Sequence, residues 1–337
     1  MSRVNFWLKL KKPILALAPM AGITDSAFRI LCREMGADVV YSEMVSADAL
    51  YYDSKKTMEL LKIGKKEHPV VVQLFGKRPE LFKKAAMIAK KAGADGIDIN
   101  FGCPAKKIVK DDSGVALMRD LALSKKIIQT VLDAVDIPVS VKIRSGLYAN
   151  QRECESESTR KCKVTALDFM KNIIDLPIAA VMVHGRTYEQ GFSGEVDYEM
   201  IKAVVDLVGD KIVVLANGGI KTVEDAKIMI EKTGADGIGL AQGALGKPWL
   251  FREIKEYMRG KISPQPPPQR RGSNMDEIKK IALEHAKSVY KLKGDYGIIE
   301  MRKHLLWYVK GWENAKELRE KLSQVESVED IKKVLSI

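Results

Sequence analysis

Residues 96–107, GIDINFGCPAKK, join reactive side chains to a fixed geometry. An apolar run carries Asn100, and Cys103 follows between Gly102 and Pro104, residues that favour a set turn. A thiol held there could serve as nucleophile, acid, metal ligand or redox partner, or could simply pack. Other useful residue types recur in the same setting, at the ends of short apolar runs. Pro19, Met20 and Ala21 follow the first run, Ser42 and Glu43 the second, and Gln73 lies in the third. Lys142 and Arg144 end the fifth, and His184 and Arg186 the sixth. Asn217, Gly218 and Gly219 end the seventh, and Ala241 and Gln242 the eighth. Singly, each has a plainer reading: a salt-bridged lysine, a structural histidine, an Asn-Gly turn, an inert thiol. Polar or reactive residues at eight equivalent positions are not explained by packing.

The runs that position them are PILALAP (13–19), DVVYSEM (38–44), PVVVQLFG (69–76), GIDINFG (96–102), PVSVKIR (138–144), IAAVMVHG (178–185), KIVVLANGG (211–219) and GIGLAQGAL (237–245). Near-continuous apolar strands alternate with amphipathic stretches such as PELFKKAAMIAKKAG, which implies parallel strands covered by helices. Eight of them predict an α/β chain folded as a (β/α)8 TIM barrel, whose chemistry sits at the C-terminal ends of the strands. A doubly wound open sheet is the weaker alternative, because no GxGxxG follows the first strand. NFWLKLKKPILALAPMAG mimics a signal peptide, but Pro13 and Pro19 bracket its apolar run, which reads as the first barrel strand. The barrel is expected over 1–260 and a Pro-rich linker over 261–272, where KISPQPPPQRRG cannot continue a helix. Helical spacing over 273–337 predicts a small C-terminal helical domain.

The formal net charge is +12, and residues 259–337 hold 17 Lys+Arg against 11 Asp+Glu, a net of +6. A basic chain with a basic tail suits a polyanionic partner such as nucleic acid, and equally fits a lysine-rich chain of no particular partner; charge alone does not separate the two. Four cysteines without a CxxC, and four scattered histidines, exclude a disulfide framework and argue against structural metal. Cytoplasmic location and a monomer are expected. No apolar run is long enough to cross a bilayer.

Glycine-rich loops after the seventh and eighth strands, NGGI and QGALGKPW, are suited to a phosphate, because glycines let backbone N–H groups approach an anion. Lys142 in the same mouth suits a cofactor that gains negative charge on reduction, as a flavin does. The Gln73 amide can both donate and accept, as the edge of a flavin ring requires.

With these residues assembled, APMAGITDSAFR, INFGCPAKK, VKIRSG, VHGRT, ANGGI, GALGKPW and, in the tail, RKHLLWYVKG together resemble the tRNA-dihydrouridine synthases. The resemblance runs from about residue 13 to 311, with the motifs in family order. The resemblance implies FMN as cofactor, NADPH or NADH as reductant, and tRNA as partner and substrate. The implied reaction is reduction of the uridine C5–C6 bond. It places Pro19, Met20, Ala21, Gln73, Lys142 and His184 around the flavin, with Asn217, Gly218, Gly219, Ala241 and Gln242 at its phosphate end. Cys103 becomes the proton donor and Asn100 lies beside the base. Arg144, Arg186, Arg302, Lys303 and His304 are expected on the RNA side. One departure stands out: Ala241-Gln242 replaces the family's usual Gly-Arg, so weaker flavin retention is expected. A second is the polar loop 147–164, with Cys154 and Cys162 expected to be exposed thiols without a catalytic part. Two other functions fit less of the sequence. A flavin barrel acting on a free pyrimidine would leave the basic tail unexplained, and an RNA-binding scaffold without catalysis would leave the strand-end set unexplained.

Overall fold

The structure, a computed structural model, describes residues 5–148, 164–260 and 275–337. Residues 149–163, including Cys154 and Cys162, and the expected linker 261–272 lie outside the described residues.

Eight parallel strands close into a barrel in chain order. They are β1 Ile14–Leu17, β2 Val39–Ser46, β3 Val70–Phe75, β4 Gly96–Phe101, β5 Val139–Arg144, β6 Ala180–His184, β7 Val213–Asn217 and β8 Gly237–Leu240. The predicted TIM barrel is the observed fold. Seven strands fall inside the apolar runs that predicted them, while β2 continues to Ser46. Its register against β3 slips between Tyr41 and Met44, a bulge that re-aims Glu43 at the mouth. The Ser42 hydroxyl mends the ladder there by accepting the Gln73 N–H at 3.0 Å.

Strand alternation sorts the side chains. Ile97, Ile99, Phe101, Val139, Val141 and Ile143 point outward into the layer beneath the helices, fully buried. Inward, the lower barrel is apolar: Ile14, Val39, Tyr41, Val71, Met182, Val213 and Leu215 pack with Trp7. Trp7 belongs to a short 3-10 turn, Phe6–Lys9, that plugs the N-terminal end of the barrel. Its ring lies 4.8 Å from Phe6 and 6.4 Å from Tyr41. Higher up, the inward positions become Asp98, Asn100, Ser140, Lys142, His184 and Asn217. One interior thus runs from oil at the bottom to polar groups at the mouth.

Local chemistry sets the helices. Asp25 caps Ser26–Glu34 by accepting the Phe28 N–H at 3.1 Å. Thr222 and Asp225 form a capping box at the start of Val223–Thr233, and Pro79 opens Pro79–Lys91. At the bottom, three GAD tripeptides precede β2, β4 and β8, and each aspartate accepts the N–H of a residue on the preceding strand. Asp38 takes Leu15 at 2.9 Å, Asp95 takes Val70 at 2.7 Å and Asp236 takes Val214 at 2.8 Å.

The tail is helical, as expected: Met275–Tyr308, broken at Gly294, then Ala315–Leu322 and Val328–Leu335. It packs on the barrel flank beside Ser26–Glu34, and its buried residues join the outer core without interruption. Ion pairs Lys293–Asp25 at 2.8 Å and Arg252–Glu277 at 3.0 Å border this seam. At its centre Phe28 stacks on His285 at 5.5 Å and lies 5.1 Å from His304. No helix among the described residues is long and apolar enough to cross a membrane.

Candidate active site

The mouth is built from one or two residues of every strand end. Pro19 and Met20 are partly exposed and Ala21 is exposed on the loop after β1. That loop is held from β2, where Glu43 accepts the Gly22 N–H. Burial raises the Glu43 pKa. Gln73, 1% exposed, lies deeper than its neighbours, with both ends of its amide bonded inside the barrel.

Asn100 sets the Cys103 turn. Its Oδ1 accepts the N–H of Gly102 at 3.0 Å and that of Cys103 at 2.9 Å. Arg144, 1% exposed, grips the same turn from β5: its Nε donates to the Gly102 carbonyl at 2.8 Å. Its Nη1 donates to Thr187 and Gly191, each at 2.8 Å, and so joins the turn to the loop after β6. The expected RNA-side Arg144 is therefore an internal brace whose Nε and Nη1 are committed to main-chain carbonyls. Burial pushes the Cys103 thiol above its ordinary value, against the opposing pull of the Ala105 backbone, Arg144 and Lys142. It stays protonated at neutral pH, which suits an acid and disfavours a resting nucleophile or metal ligand.

Three cations and a neutral imidazole face this thiol's side of the mouth. Lys142 donates to Asn217 Oδ1 at 3.1 Å, and burial, then Arg144, lowers its pKa to about 8. Asn217 in turn donates to the Gly239 carbonyl at 2.7 Å, so its side chain serves to hold Lys142. His184, 7% exposed, is pushed down to about 2 by burial and by Lys142, Arg144 and Arg186. Its buried Nε2 has no hydrogen-bond partner among the described residues. Gly218, at φ +120, sits so close that a Cβ there would lie 2.7 Å from His184 Cδ2. Arg186 donates through Nε to the Gly194 carbonyl at 2.9 Å, and its Nη1 and Nη2 reach over Gly218 and Gly219. Gln242 is exposed at the rim, and Ala241 is partly exposed.

These features fit an anionic group with a flat ring. A buried orphan Nε2 awaits a polar atom, two glycines leave a cradle open, and Lys142, Arg144 and Arg186 form no ion pair among the described residues. Beneath them lies a buried carboxylate, Asp98, 0% exposed, its pKa raised to about 6 by burial.

Two features escaped the sequence reading. Asp98 sat unremarked inside a strand. Phe192, 64% exposed, stands at the rim with the Arg144 guanidinium 5.6 Å from its ring and His184 at 6.5 Å. An aromatic in the glycine-rich loop GFSG was the available signal.

In the tail the expectations divide. His304 is 4% exposed and packed between Phe28, His285 and Trp307, so it is not an RNA contact; burial decides against it. Arg302 donates to the Val325 carbonyl at 2.8 Å and the Gln324 carbonyl at 3.3 Å, pinning the tail together. Lys303 alone reaches the mouth: its Nζ lies 3.8 Å from where a Cβ of Gly22 would sit.

A closed parallel barrel with its polar groups gathered at the C-terminal strand ends defines a TIM-barrel enzyme. Its fold is similar to that of 6-hydroxypseudooxynicotine amine oxidase from Pseudomonas geniculata N1, with TM-score 0.54 and 17% identity. That match covers 74% of this chain and 48% of the other. Histamine dehydrogenase from Rhizobium sp. 4-9 matches at TM-score 0.53 and 11% identity over 81% and 48%. The chain thus spans about half the length of these two structures, and the likeness is one of fold. The chain itself belongs to the dihydrouridine synthase family: the profile described as Dihydrouridine synthase (Dus) matches residues 16–337. It is 38% identical over 318 residues to tRNA-dihydrouridine synthase B of Pseudomonas putida, covering 94% of this chain and 88% of that protein. It is 39% identical over 306 residues to a probable tRNA-dihydrouridine synthase of Rickettsia bellii, covering 90% and 87%.

Proposed function

We propose that this protein reduces selected uridines of tRNA to 5,6-dihydrouridine, with FMN held in the barrel mouth and NADPH or NADH as the reductant. The observation that carries this reading is the braced, protonated thiol of Cys103 beside a cationic cradle with an orphaned imidazole nitrogen. Membership of the family and relatives named for tRNA favour it over a barrel acting on a free pyrimidine.

Pro19, Met20, Ala21, Gln73, Lys142 and His184 would surround the flavin ring. Gly218, Gly219, Ala241 and Gln242 would lie at its phosphate end, where Arg186 adds the charge that Gln242 lacks. FMN, when bound, supplies hydride chemistry at C6 of the uracil. The protein supplies the rest. Its Cys103 Sγ–H bond breaks as a C5–H bond forms on the opposite face, and the thiolate left behind regains a proton from water. A fixed donor outperforms unoriented water because proximity and direction are prepaid. Lys142 stabilises negative charge that develops beside it. Asn100 orients both the turn and the base edge.

A uridine stacked in folded RNA must leave its stack to reach this depth. Residues 1–260 form the catalytic unit in this reading, and 273–337 the RNA-gripping unit, joined by 261–272. Lys303 and exposed lysines near the mouth would hold phosphates, and the protein would act as a cytoplasmic monomer. The test is to supply purified protein and reductant with an unmodified tRNA transcript, and separately with free uracil. Dihydrouridine at defined tRNA positions is expected; turnover of uracil alone would overturn the assignment.

A further inference from the structure

Beneath the Cys103 turn, one line of side chains crosses three neighbouring strands. Asp98, on β4, accepts from Gln73 Nε2 at 2.7 Å through Oδ2 and from Ser140 Oγ at 2.7 Å through Oδ1. The other end of the Gln73 amide, Oε1, accepts from Asn100 Nδ2 at 2.8 Å. Asn100 Oδ1 then accepts the two N–H groups of the turn, Gly102 and Cys103. Exposures are 0% at Asp98, 1% at Gln73, 1% at Ser140 and 6% at Asn100, so water does not compete readily along the line.

A primary amide has nearly the same shape either way round, so packing alone does not choose which end is oxygen. An ionised carboxylate only accepts, and it does choose. It draws the Gln73 NH2 toward itself, which turns Oε1 to Asn100, which in turn aims Asn100 Oδ1 at the turn. We propose that Asp98 is a positioning residue: its ionised carboxylate fixes the polarity of the Gln73–Asn100 amide chain and through it holds the Cys103 turn in donor geometry. Its catalytic consequence rests on the acid role of Cys103 proposed above; the chain itself is a property of the barrel.

If Asp98 gains a proton, or becomes Asn, the group facing Gln73 can donate as well as accept. Both amides can then reverse, leaving Asn100 Nδ2 opposed to the two N–H groups of the turn. In that reversed form donor meets donor and both turn bonds are open. The turn N–H groups still favour Asn100 Oδ1, so protonation makes the reversed form more accessible and lowers protection without making it dominant.

The pKa of about 6 at Asp98, raised by burial against the pull of Gln73, Ser140 and Lys142, puts this change within reach of experiment. The groups facing it do not share the window. Lys142, on β5, remains cationic below about 8, and Tyr41, on β2, is raised well above its ordinary value by burial. Gln73 and Ser140 do not titrate. The chain is therefore held from both ends above about pH 6 and from the turn end alone below it.

The test is hydrogen exchange at the Cys103 amide in the flavin-loaded protein, corrected for intrinsic rates, from pH 5 to 7. Wild type should lose about 10- to 100-fold of protection as pH falls through about 6. Asp98→Asn should show the low value at every pH, while the Val141 amide in the barrel wall stays protected in both. In the same samples, reoxidation of the reduced enzyme by tRNA should fall with the protection, and flavin reduction by NADPH should stay within about twofold. Unchanged, pH-independent protection at Cys103 would overturn the proposal, as would equal loss at Val141, the sign of a merely structural role. Should Asp98→Asn fail to fold, the wild-type pH series decides alone. Failure of wild type to reduce tRNA would count against the functional reading, while the amide measurement still decides the role of Asp98.

Discussion

Removing the Arg186 guanidinium should separate FMN from riboflavin. Nη1 lies 3.6 Å from where a Cβ of Gly218 would sit, and Nη2 the same distance from that of Gly219, so the guanidinium roofs the opening those glycines leave. Gln242, exposed and uncharged, adds no positive charge at the same rim. A hydrogen bond to a charged group contributes about 1.5–3 kcal/mol, and Arg186→Met should weaken FMN by about 10- to 150-fold. Partial exposure puts the lower half of that range in physiological salt. Riboflavin carries no phosphate, and its affinity should change less than about threefold, within one ordinary neutral contact. Titrating flavin-free protein with each compound and following flavin fluorescence gives both constants. Gln242→Arg should shift FMN the other way. Equal losses for FMN and riboflavin would refute the reasoning, because they would place Arg186 against the ring or in the fold rather than at the phosphate.

Cys103→Ala should bind flavin and oxidise NADPH at near wild-type rates while tRNA reduction falls about 10²- to 10⁴-fold, measured as separate half-reactions; equal falls in both would remove the acid role. Lys142 carries its charge below about pH 8, so flavin reduction should be most favourable there and weaken above it. Lys142→Met should erase that inflection and lower the flavin potential by on the order of 30–60 mV, read by redox titration. The buried pair His285 and His304 sits neutral between tail and barrel, with His285 pushed down by burial from 6.5 to about 4 and His304 also held well below its ordinary value by burial. The unfolded chain binds those protons first, so stability is full above pH 6.5 and declines toward pH 4, by on the order of 3 kcal/mol for His285. Urea midpoints across that range should show the slope in wild type and a shallower one in His285→Gln.

The barrel was legible because its strands are buried on both faces, which leaves uninterrupted runs such as VVVQLF and GIDINF in the sequence. Strand ends fell into place for the same reason: once a run is read as β, its last inward residue is at the mouth. Side-chain commitments were less legible. Arg144 looks free in VKIRSG, and only the folded loops bring the Gly102, Thr187 and Gly191 carbonyls to it. His304 follows two cations on a helix, a pattern of a solvated face, yet Phe28 arrives from the other end of the chain to cover it. Asp98 hid in an apolar strand because a buried carboxylate is recognisable only by its partners, Gln73 and Ser140. The GAD repeat was a signal in plain view: the same tripeptide ahead of three strands marks a shared hydrogen bond at the barrel floor.

Gly246 brings the barrel against the backbone of the tail. A Cβ there would lie 2.4 Å from the carbonyl group of Trp307, and its φ of +67 is one that glycine favours. The turn that begins at Ala241 and Gln242 thus rests, four residues later, directly on the backbone of the tail helix Met275–Tyr308. In the proposed reading the cofactor's phosphate end and the seat of the tail share this one segment, which is the route by which flavin and RNA binding would be coupled. Linkage is reciprocal: by whatever factor bound FMN tightens the grip on RNA, bound RNA must tighten the affinity for FMN. An enzyme with a weakened phosphate anchor would then retain its cofactor best while holding its substrate.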